Sequence, residues 1–142
     1  MNVALIQTGT PEYDAMKTLR LEVLLRPIGV PESYIDPARE AKEHLVAAFD
    51  EDALVGCCIL TPHADGRIQL RQMAVDGSRQ GTGVGAAILR FTETFASGAG
   101  YTELFMHARD AVIPFYEKSE YRIRGDQFFE VGIPHHVMYK ML

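Results

Sequence analysis

A glycine-rich turn between a strand and a helix constrains the fold of this chain more than any other feature. Residues 75–85 read Val-Asp-Gly-Ser-Arg-Gln-Gly-Thr-Gly-Val-Gly. From Val84 onward, apolar residues recur at positions 87, 88, 91 and 95, the spacing of a helix that lies on a sheet. Glycines at 81, 83 and 85 leave the backbone free to turn into that helix. The first-turn amides would then point at one spot and favour an anion, most naturally a diphosphate.

The glycines alone leave several interpretations open, including a turn kept only for tight packing. A P-loop is excluded because Lys-Ser or Lys-Thr must follow its last glycine, whereas Val84 and Ala86 stand at those positions. A dinucleotide fingerprint, G-x-G-x-x-A, fits formally but begins too far after its strand. The acidic partner that it requires would be Glu103, which starts the next strand instead of ending it.

The remaining chain divides into short strands and helices, with no repeat, low-complexity segment or linker, so residues 1–142 are expected to form one domain. The predicted strands are 2–7, 44–50, 53–61, 67–75, 102–108, 121–130 and 136–142, and the predicted helices begin at 11, 37, 84 and 112. Strands that precede a helix and then alternate with helices predict an α/β or α+β mixed sheet. Within 67–75, residues 68, 70 and 72 are expected on one face and residues 69, 71, 73 and 75 on the other.

Composition and charge narrow the function classes. Hydrophobic residues make up 47% of the 142 residues, yet no apolar run approaches the roughly 20 residues that cross a bilayer. The first residues have no basic segment followed by a long apolar run, so no secretory signal is expected. A net charge of −5 argues against a nucleic-acid surface. Cys57 and Cys58 are adjacent, so they are expected on opposite strand faces as buried thiols, consistent with a cytoplasmic protein. The five scattered histidines predict no metal site.

Two motifs resemble the GNAT N-acetyltransferase superfamily. Residues 80–85 read Q-x-x-G-x-G, which is similar to its acetyl-CoA-binding motif, and Met73-Ala74-Val75-Asp76 resembles the strand before it. Further along, residues 111–121 read Ala-Val-Ile-Pro-Phe-Tyr-Glu-Lys-Ser-Glu-Tyr and resemble the family's A-x-x-F-Y-x-K-x-G-F signature. The motifs stand in the expected order. Glu120 departs from the pattern, which commonly has glycine there, and this bears on the turn after the helix.

The resemblance implies a single GNAT-type domain whose mostly antiparallel, twisted sheet is flanked by helices and has splayed central strands. It also implies acetyl-CoA as cosubstrate and direct transfer of acetyl to a primary amine of a small-molecule or peptide acceptor. A homodimer is a further expectation, since family members are commonly dimers. The residues implied in cofactor binding are Met73, Ala74 and Val75 through their main chain, Arg79 through its charge, and Gln80, Gly81, Thr82, Gly83, Val84 and Gly85 through their amides.

Tyr116 matches the tyrosine that, in many family members, protonates the departing thiolate. A positioned phenol can donate a proton as charge builds on the leaving sulfur. The alternative is a tyrosine ring packed in the core with its hydroxyl satisfied by another protein group.

The acceptor site is less legible, because no single general base stands out. Residues 128–138 resemble the F-x-E-x-G-I-P-H-x-x-M ending of the ElaA-like branch, and residues 19–23 resemble its L-R-x-x-V motif. The implied acceptor-site residues are Arg20, Glu22, His107, Glu130 and His135, and His136 is a further candidate base. Ordinary surface or structural roles, such as an ion pair on the helix surface, remain open for each of them.

Three functions therefore compete at this stage. The leading one is an acetyl-CoA-dependent N-acetyltransferase, and the alternatives are a non-catalytic acyl-CoA sensor and a nucleotide-binding fold that uses the same turn. Replacing Tyr116 by phenylalanine separates an enzyme from a sensor, since only an enzyme has turnover to lose. Binding of acetyl-CoA, NAD or ATP separates the third.

Overall fold

The computed structural model describes residues 1–142 and forms seven strands and four α-helices. The strands are β1 (Asn2–Ile6), β2 (His44–Asp50), β3 (Ala53–Pro62), β4 (Arg67–Val75), β5 (Glu103–Arg109), β6 (Arg122–Glu130) and β7 (Ile133–Met141). The helices are α1 (Pro11–Arg20), α2 (Pro37–Glu40), α3 (Val84–Gly98) and α4 (Ile113–Lys118). Every predicted strand and helix is present.

All seven strands form one sheet in the order β1-β2-β3-β4-β5-β7-β6. Neighbouring strands are antiparallel except for the central pair β4 and β5, which run parallel. A parallel pair needs a crossover, and α3 supplies it. The expected mixed, mostly antiparallel sheet flanked by helices is therefore confirmed.

Helices cover both faces of the sheet. The apolar stripe of α3 buries Val84, Ile88 and Leu89 in the larger core, together with residues of β2–β5, β7 and α4. On the opposite face, α1 buries Tyr13, Met16 and Leu19 against β2, β3 and β4. The Thr10 side chain accepts a hydrogen bond from the Tyr13 amide, so Thr10 is the N-cap of α1 as predicted.

The largest departures from the predicted boundaries lie beside turns. After Arg20 the chain continues as a turn of π-helix over Leu21–Leu25 and a turn of 3-10 helix over Arg26–Ile28. Gly29, with φ of 73°, ends this helical segment. Strand β7 begins at Ile133, three residues earlier than predicted, because Val131 and Gly132 alone form the hairpin turn. A proline at 134 is compatible with this strand since only its amide is missing from the ladder.

The two central strands separate partway along their length. Their pairing covers four residue pairs, from Arg67 opposite Glu103 to Leu70 opposite Met106. Beyond that point β4 stays paired with β3 as far as Val75, and β5 stays paired with β7 as far as Arg109. An opening therefore forms in the middle of the sheet, next to the glycine-rich turn.

A bulge in β4 reverses the predicted side-chain alternation. Gln72 has φ of 53°, and the pairing with β3 shifts between Cys57 and Ile59. As a result, Met73 and Val75 pack against the same core as Ile68 and Leu70, and Ala74 packs in the α1 core. The expectation that Met73 and Val75 share a face with Gln69 and Arg71 is wrong, because the extra residue flips everything after it.

The two cysteines are free and fully buried, with Cys57 in the α1 core and Cys58 in the α3 core. Burial raises the pKa of the Cys57 thiol to about 12 and that of Cys58 well above its usual value. Both are therefore protonated packing residues. None of the helices combines the length and apolar character needed to cross a membrane.

Candidate functional site

The glycine-rich turn is built by local capping. The Asp76 carboxylate accepts hydrogen bonds from the Ser78 amide at 2.9 Å and the Ser78 hydroxyl at 2.7 Å, starting a 3-10 turn over Gly77–Arg79. The Gln80 side chain donates to the Val75 carbonyl at 3.2 Å. Gly81 and Gly83 then take φ of 80° and 92°, values that disfavour other residues. The turn needs glycine at 81 and 83 to enter α3.

Most of the amides around the start of α3 have no hydrogen-bond acceptor within the protein. Thr82 donates to the Arg79 carbonyl at 3.2 Å. Gly83 caps α3 without any side-chain hydrogen bond. The amides that donate to no protein acceptor are those of Gln80, Gly81, Gly83, Val84, Gly85 and Ala86. Six such amides at the positive end of a helix dipole form an amide cradle suited to a diphosphate.

Gly85 serves a different purpose from the other two glycines. A Cβ at this position would lie 2.7 Å from Cζ of Phe115, the residue before Tyr116. Gly85 therefore lets α4 pack closely against the start of α3. Gly85 is therefore needed for packing, whereas Gly81 and Gly83 are needed for the turn of the backbone.

Arg79, which precedes the amide cradle in sequence, forms an ion pair with Asp50. Its guanidinium pairs with Asp50 at the end of β2, and hydrogen bonding to Arg79 lowers the pKa of that carboxyl. Both side chains are partly exposed, so the pair contributes little to stability.

The β4 backbone beside the opening has a free edge. Val75 pairs with Gly56 and Ala74 pairs with Cys57 on the β3 side, whereas β5 supplies no partner beyond Leu70. Met73, Ala74 and Val75 are thus the last residues of an unpaired border that leads to the amide cradle. A strand-like ligand could add to this border by main-chain hydrogen bonds.

Tyr116 is 5% exposed and packs in the α3 core with Cys58 and Met106. Its ring makes edge contacts with Phe115 and Tyr121 at centroid distances of 5.0 and 5.9 Å. The Tyr121 hydroxyl donates to Glu93 at 2.8 Å, whereas the Tyr116 hydroxyl has no such partner. Burial, followed by the neighbouring Cys58, raises the pKa of Tyr116, so its hydroxyl stays protonated and available as a donor.

The turn after α4 keeps the geometry that the resemblance implies despite Glu120. Glu120 takes φ of 71°, and the Tyr121 amide donates back to the Tyr116 carbonyl at 3.1 Å. A left-handed conformation is where glycine is ordinarily favoured. The departure therefore strains the turn locally and leaves the placement of Tyr116 intact.

Arg20 is fully buried beneath β4 and does not line an open pocket. Two of its guanidinium nitrogens each lie 2.7 Å from a different Glu40 oxygen, and Nε donates to the Gln72 side chain at 3.4 Å. Tyr13 also donates to Glu40 at 2.7 Å. The acceptor contact expected of Arg20 does not fit this burial, and its contacts instead join α1 and α2 to the β4 bulge.

Glu22 is exposed on the π-turn and forms no ion pair. The other three expected acceptor-site residues come together. His107 Nδ1 lies 2.5 Å from Glu130 Oε1, and His135 Nε2 lies 3.9 Å from Glu130 Oε2. His136 is separate, since it pairs with Asp110 at 2.7 Å. His107, Glu130 and His135 are named the histidine–glutamate cluster below.

Three residues that matter to this arrangement were missed in the sequence. Glu40 and Gln72 support Arg20, and Phe128 contacts both histidines of the histidine–glutamate cluster. No local pattern marks Glu40 or Gln72, because their partners are distant in sequence. Phe128 could have been found from its place in the same terminal motif as Glu130. No group of His, Cys, Asp or Glu side chains is arranged to hold a metal ion.

Comparisons with known proteins agree with this geometry. A family model described as an acetyltransferase (GNAT) domain matches residues 12–142. The uncharacterized N-acetyltransferase YjcF of Bacillus subtilis (strain 168) is 32% identical over 124 residues, which cover 86% of this chain and 87% of YjcF.

Solved structures share the fold at low sequence identity. Escherichia coli ElaA superposes with a TM-score of 0.82 at 16% identity, covering 98% of each chain. A GNAT family acetyltransferase from Elizabethkingia anophelis, solved with acetyl-CoA bound, superposes with a TM-score of 0.77 at 19% identity, covering 99% of this chain and 97% of the other. With a family model that spans nearly all of it and a relative above 30% identity, this chain belongs to the GNAT family of N-acetyltransferases.

Proposed function

We propose that this protein transfers the acetyl group of acetyl-CoA directly to a primary amine of a small-molecule or peptide acceptor, with residues 1–142 acting as one domain. The observation that carries the proposal is the amide cradle at the start of α3, continuous with the free border of β4. Diphosphate and an extended amide-containing arm are the two chemical features that these groups suit. Coenzyme A contains both in that order.

Each part of the site has a role in the proposed reaction. The main chain of Met73, Ala74 and Val75 binds the pantetheine arm, and the amide cradle binds the diphosphate. Acetyl-CoA supplies an activated acetyl group as a thioester. Tyr116 donates a hydrogen bond to the sulfur as negative charge develops there, since burial keeps its phenol protonated at neutral pH.

The remaining expectations are proposed on weaker support. Arg79 adds positive charge near the phosphates, and its ion pair with Asp50 would compete with that role. We propose Glu22 and the histidine–glutamate cluster as acceptor-site residues, supported for the cluster by the contacts that bring its three side chains together. A cytoplasmic location is proposed because both cysteines are free thiols, which suits a reducing compartment. A homodimer stays a prediction.

Ligand binding provides the first test. Thermal-shift measurements with acetyl-CoA, NAD and ATP should show stabilisation by acetyl-CoA alone. A ligand at 100 times its Kd is expected to stabilise by about 2.7 kcal/mol. Stabilisation by NAD without stabilisation by acetyl-CoA would contradict the proposal.

Turnover provides the second test. A screen across amine classes, with released CoA as the readout, should identify at least one acceptor. Tyr116→Phe should then lower kcat while leaving the Kd for acetyl-CoA unchanged, because the ring remains packed and only the donor is lost. A protein that binds acetyl-CoA and releases no CoA with any amine would be a sensor instead.

A further inference from the structure

His107 lies where the two central strands part. The last β4–β5 pair is Leu70 with Met106, so His107 is the first β5 residue beside the opening. Leu104, Met106 and Ala108 pack in the α3 core with Tyr116. Because side chains alternate along a strand, His107 faces the other side of the sheet. His107 therefore lies at the opening, on the face of the sheet opposite the α3 core that contains Tyr116.

The hydrogen bond to Glu130 determines which nitrogen of His107 is available. A carboxylate only accepts, so Nδ1, 2.5 Å from Glu130 Oε1, carries the proton. In the neutral ring Nε2 then has a free lone pair. The His107 side chain is 35% exposed, which leaves this nitrogen within reach of a ligand.

Neighbouring groups hold this pair in place. The Phe128 ring meets His107 edge-on at 5.2 Å and stacks on His135 at 5.8 Å. His135 is fixed in turn, since its Nδ1 lies 2.7 Å from the Ile133 carbonyl. Phe128 on β6 and His135 on β7 thus pack around the histidine–glutamate cluster. An oriented imidazole backed by a carboxylate is an arrangement that serves proton transfer well.

The other titratable groups nearby are less suited to that task. His135 is 5% exposed. His136 also has an orienting carboxylate, since its Nδ1 lies 2.7 Å from Asp110, but it stands on β7 opposite Ala108 and does not border the opening between β4 and β5. Arg109, next along this face of β5, has only donor nitrogens and donates to the Leu24 carbonyl at 3.4 Å. Glu22 lacks a partner that would orient it. His107 alone combines an accessible nitrogen, an orienting carboxylate and a place at the opening.

We propose that His107 is the general base for a cationic primary amine, with Glu130 as its positioning residue. This inference rests on the proposed acetyltransferase function and adds the acceptor's charge and the route of its proton. Glu130 places a negative charge near the incoming ammonium, which favours a cation over a neutral amine.

The acceptor amine enters the reaction as an ammonium ion and must lose two protons. His107 Nε2 takes one proton, and the neutral amine attacks the thioester carbonyl. A C–N bond forms, the C–S bond breaks, and the electron pair of that bond leaves on sulfur. A second proton passes from the new amide nitrogen to the sulfur, and His107 returns its proton to solvent.

Two kinds of amine probe test the role of His107. The probes 1,3-diaminopropane and benzylamine are ammonium ions at neutral pH, whereas methoxyamine is already neutral and needs no deprotonation before attack. His107→Gln should lower kcat/KM for the ammonium probes by about 10²–10⁴-fold, the usual contribution of a general base. It should affect methoxyamine much less and leave the Kd for acetyl-CoA unchanged.

Glu130→Gln and a matched histidine variant complete the test. Glu130→Gln keeps a hydrogen-bonding side chain but removes the charge, so kcat for the ammonium probes should fall by a smaller factor than in His107→Gln. His63 serves as the control, because it is also exposed and its ring packs edge-on against an aromatic residue, Phe105, at 5.1 Å. His63→Gln should retain wild-type rates.

Each outcome has a distinct meaning. Equal losses for ammonium probes and methoxyamine would show that His107 has only a structural role and would overturn the inference, as would unchanged rates in His107→Gln. Failure of the wild-type protein to acetylate any of the three probes or any amine in the wider screen would overturn the proposed function, and the inference with it. Acetyl-CoA binding measured in every variant separates these cases from misfolding.

Discussion

Removing one member of the buried Arg20–Glu40 pair should destabilise the protein strongly. Arg20 is 0% exposed and Glu40 is 4% exposed, so Arg20→Met leaves a carboxylate that water cannot reach. Its remaining hydrogen-bond partner is Tyr13. Breaking a buried ion pair in this way costs about 3–5 kcal/mol. At about 3 °C per kcal/mol for a domain near this size, Tm should fall by roughly 10–15 °C.

A double-mutant cycle measured by urea unfolding provides the assay. The chain has no tryptophan, so far-UV circular dichroism is the suitable signal. Glu40→Gln alone should also destabilise, whereas the double variant should lose clearly less than the sum, with a coupling of about 1–3 kcal/mol. Additive losses, or a loss below about 1 kcal/mol for Arg20→Met, would refute the assignment of this pair as a coupled buried unit.

A half-exposed pair supplies the control, and pH supplies a second readout. Arg124 binds both Glu103 oxygens at 3.1 and 2.8 Å but is 44% exposed, so Arg124→Met should cost about 1 kcal/mol or less. Burial alone would raise the pKa of Glu40, but hydrogen bonds from Arg20 and Tyr13 outweigh it and lower that pKa. The pair therefore stabilises fully at neutral pH, and its contribution falls as the pH drops below about 4.3, the pKa of an unfolded-state glutamate.

Three further substitutions test separate local features, each by urea unfolding. Gly85→Ala places a Cβ 2.7 Å from the Phe115 ring and should cost about 1–3 kcal/mol of stability. Gly98→Ala is the control, because its Cβ meets no atom within 4 Å, and it should be neutral or stabilising. Equal effects of the two substitutions would contradict the packing role of Gly85. Val131→Asn should stabilise by about 1 kcal/mol, because Val131 holds φ of 45° in a two-residue hairpin turn that favours Asn-Gly, and a loss of stability would argue against strain there. Thr10→Ala should cost about 1 kcal/mol of stability because it removes the cap of the Tyr13 amide. A change below about 0.3 kcal/mol would show that this cap does not stabilise the protein.

Much of the fold could be predicted from local patterns. The stripe from Val84 onward and the N-cap at Thr10 depend on residues close in sequence, and the structure has both. The separation of the central strands was expected only through the family resemblance. The bulge at Gln72 was missed, because its positive φ is stabilised by Cys57 and Arg20, which no spacing in β4 reveals.

The candidate site divides in the same way. The loop residues are contiguous, so a single motif predicted five of the six amides of the amide cradle. It missed the amide of Ala86, and it included that of Thr82, which donates to the Arg79 carbonyl instead. His107, Glu130 and His135 were suggested separately, and only the pairing of β5, β6 and β7 brings them together. Arg20 was placed wrongly, because helical spacing alone does not show whether a charged residue at the end of a helix faces solvent or a buried partner such as Glu40.

The groups at the start of α3 belong to the main chain, and this has a consequence for mutational studies. Alanine scanning leaves every peptide group in position, so it does not test the amides themselves even if they are essential. Proline removes the amide itself, and a proline scan or ester substitution of single peptide bonds would find determinants that side-chain truncation overlooks. Recognition of this kind also tolerates sequence drift, since selection acts on backbone shape and leaves most side-chain identities free.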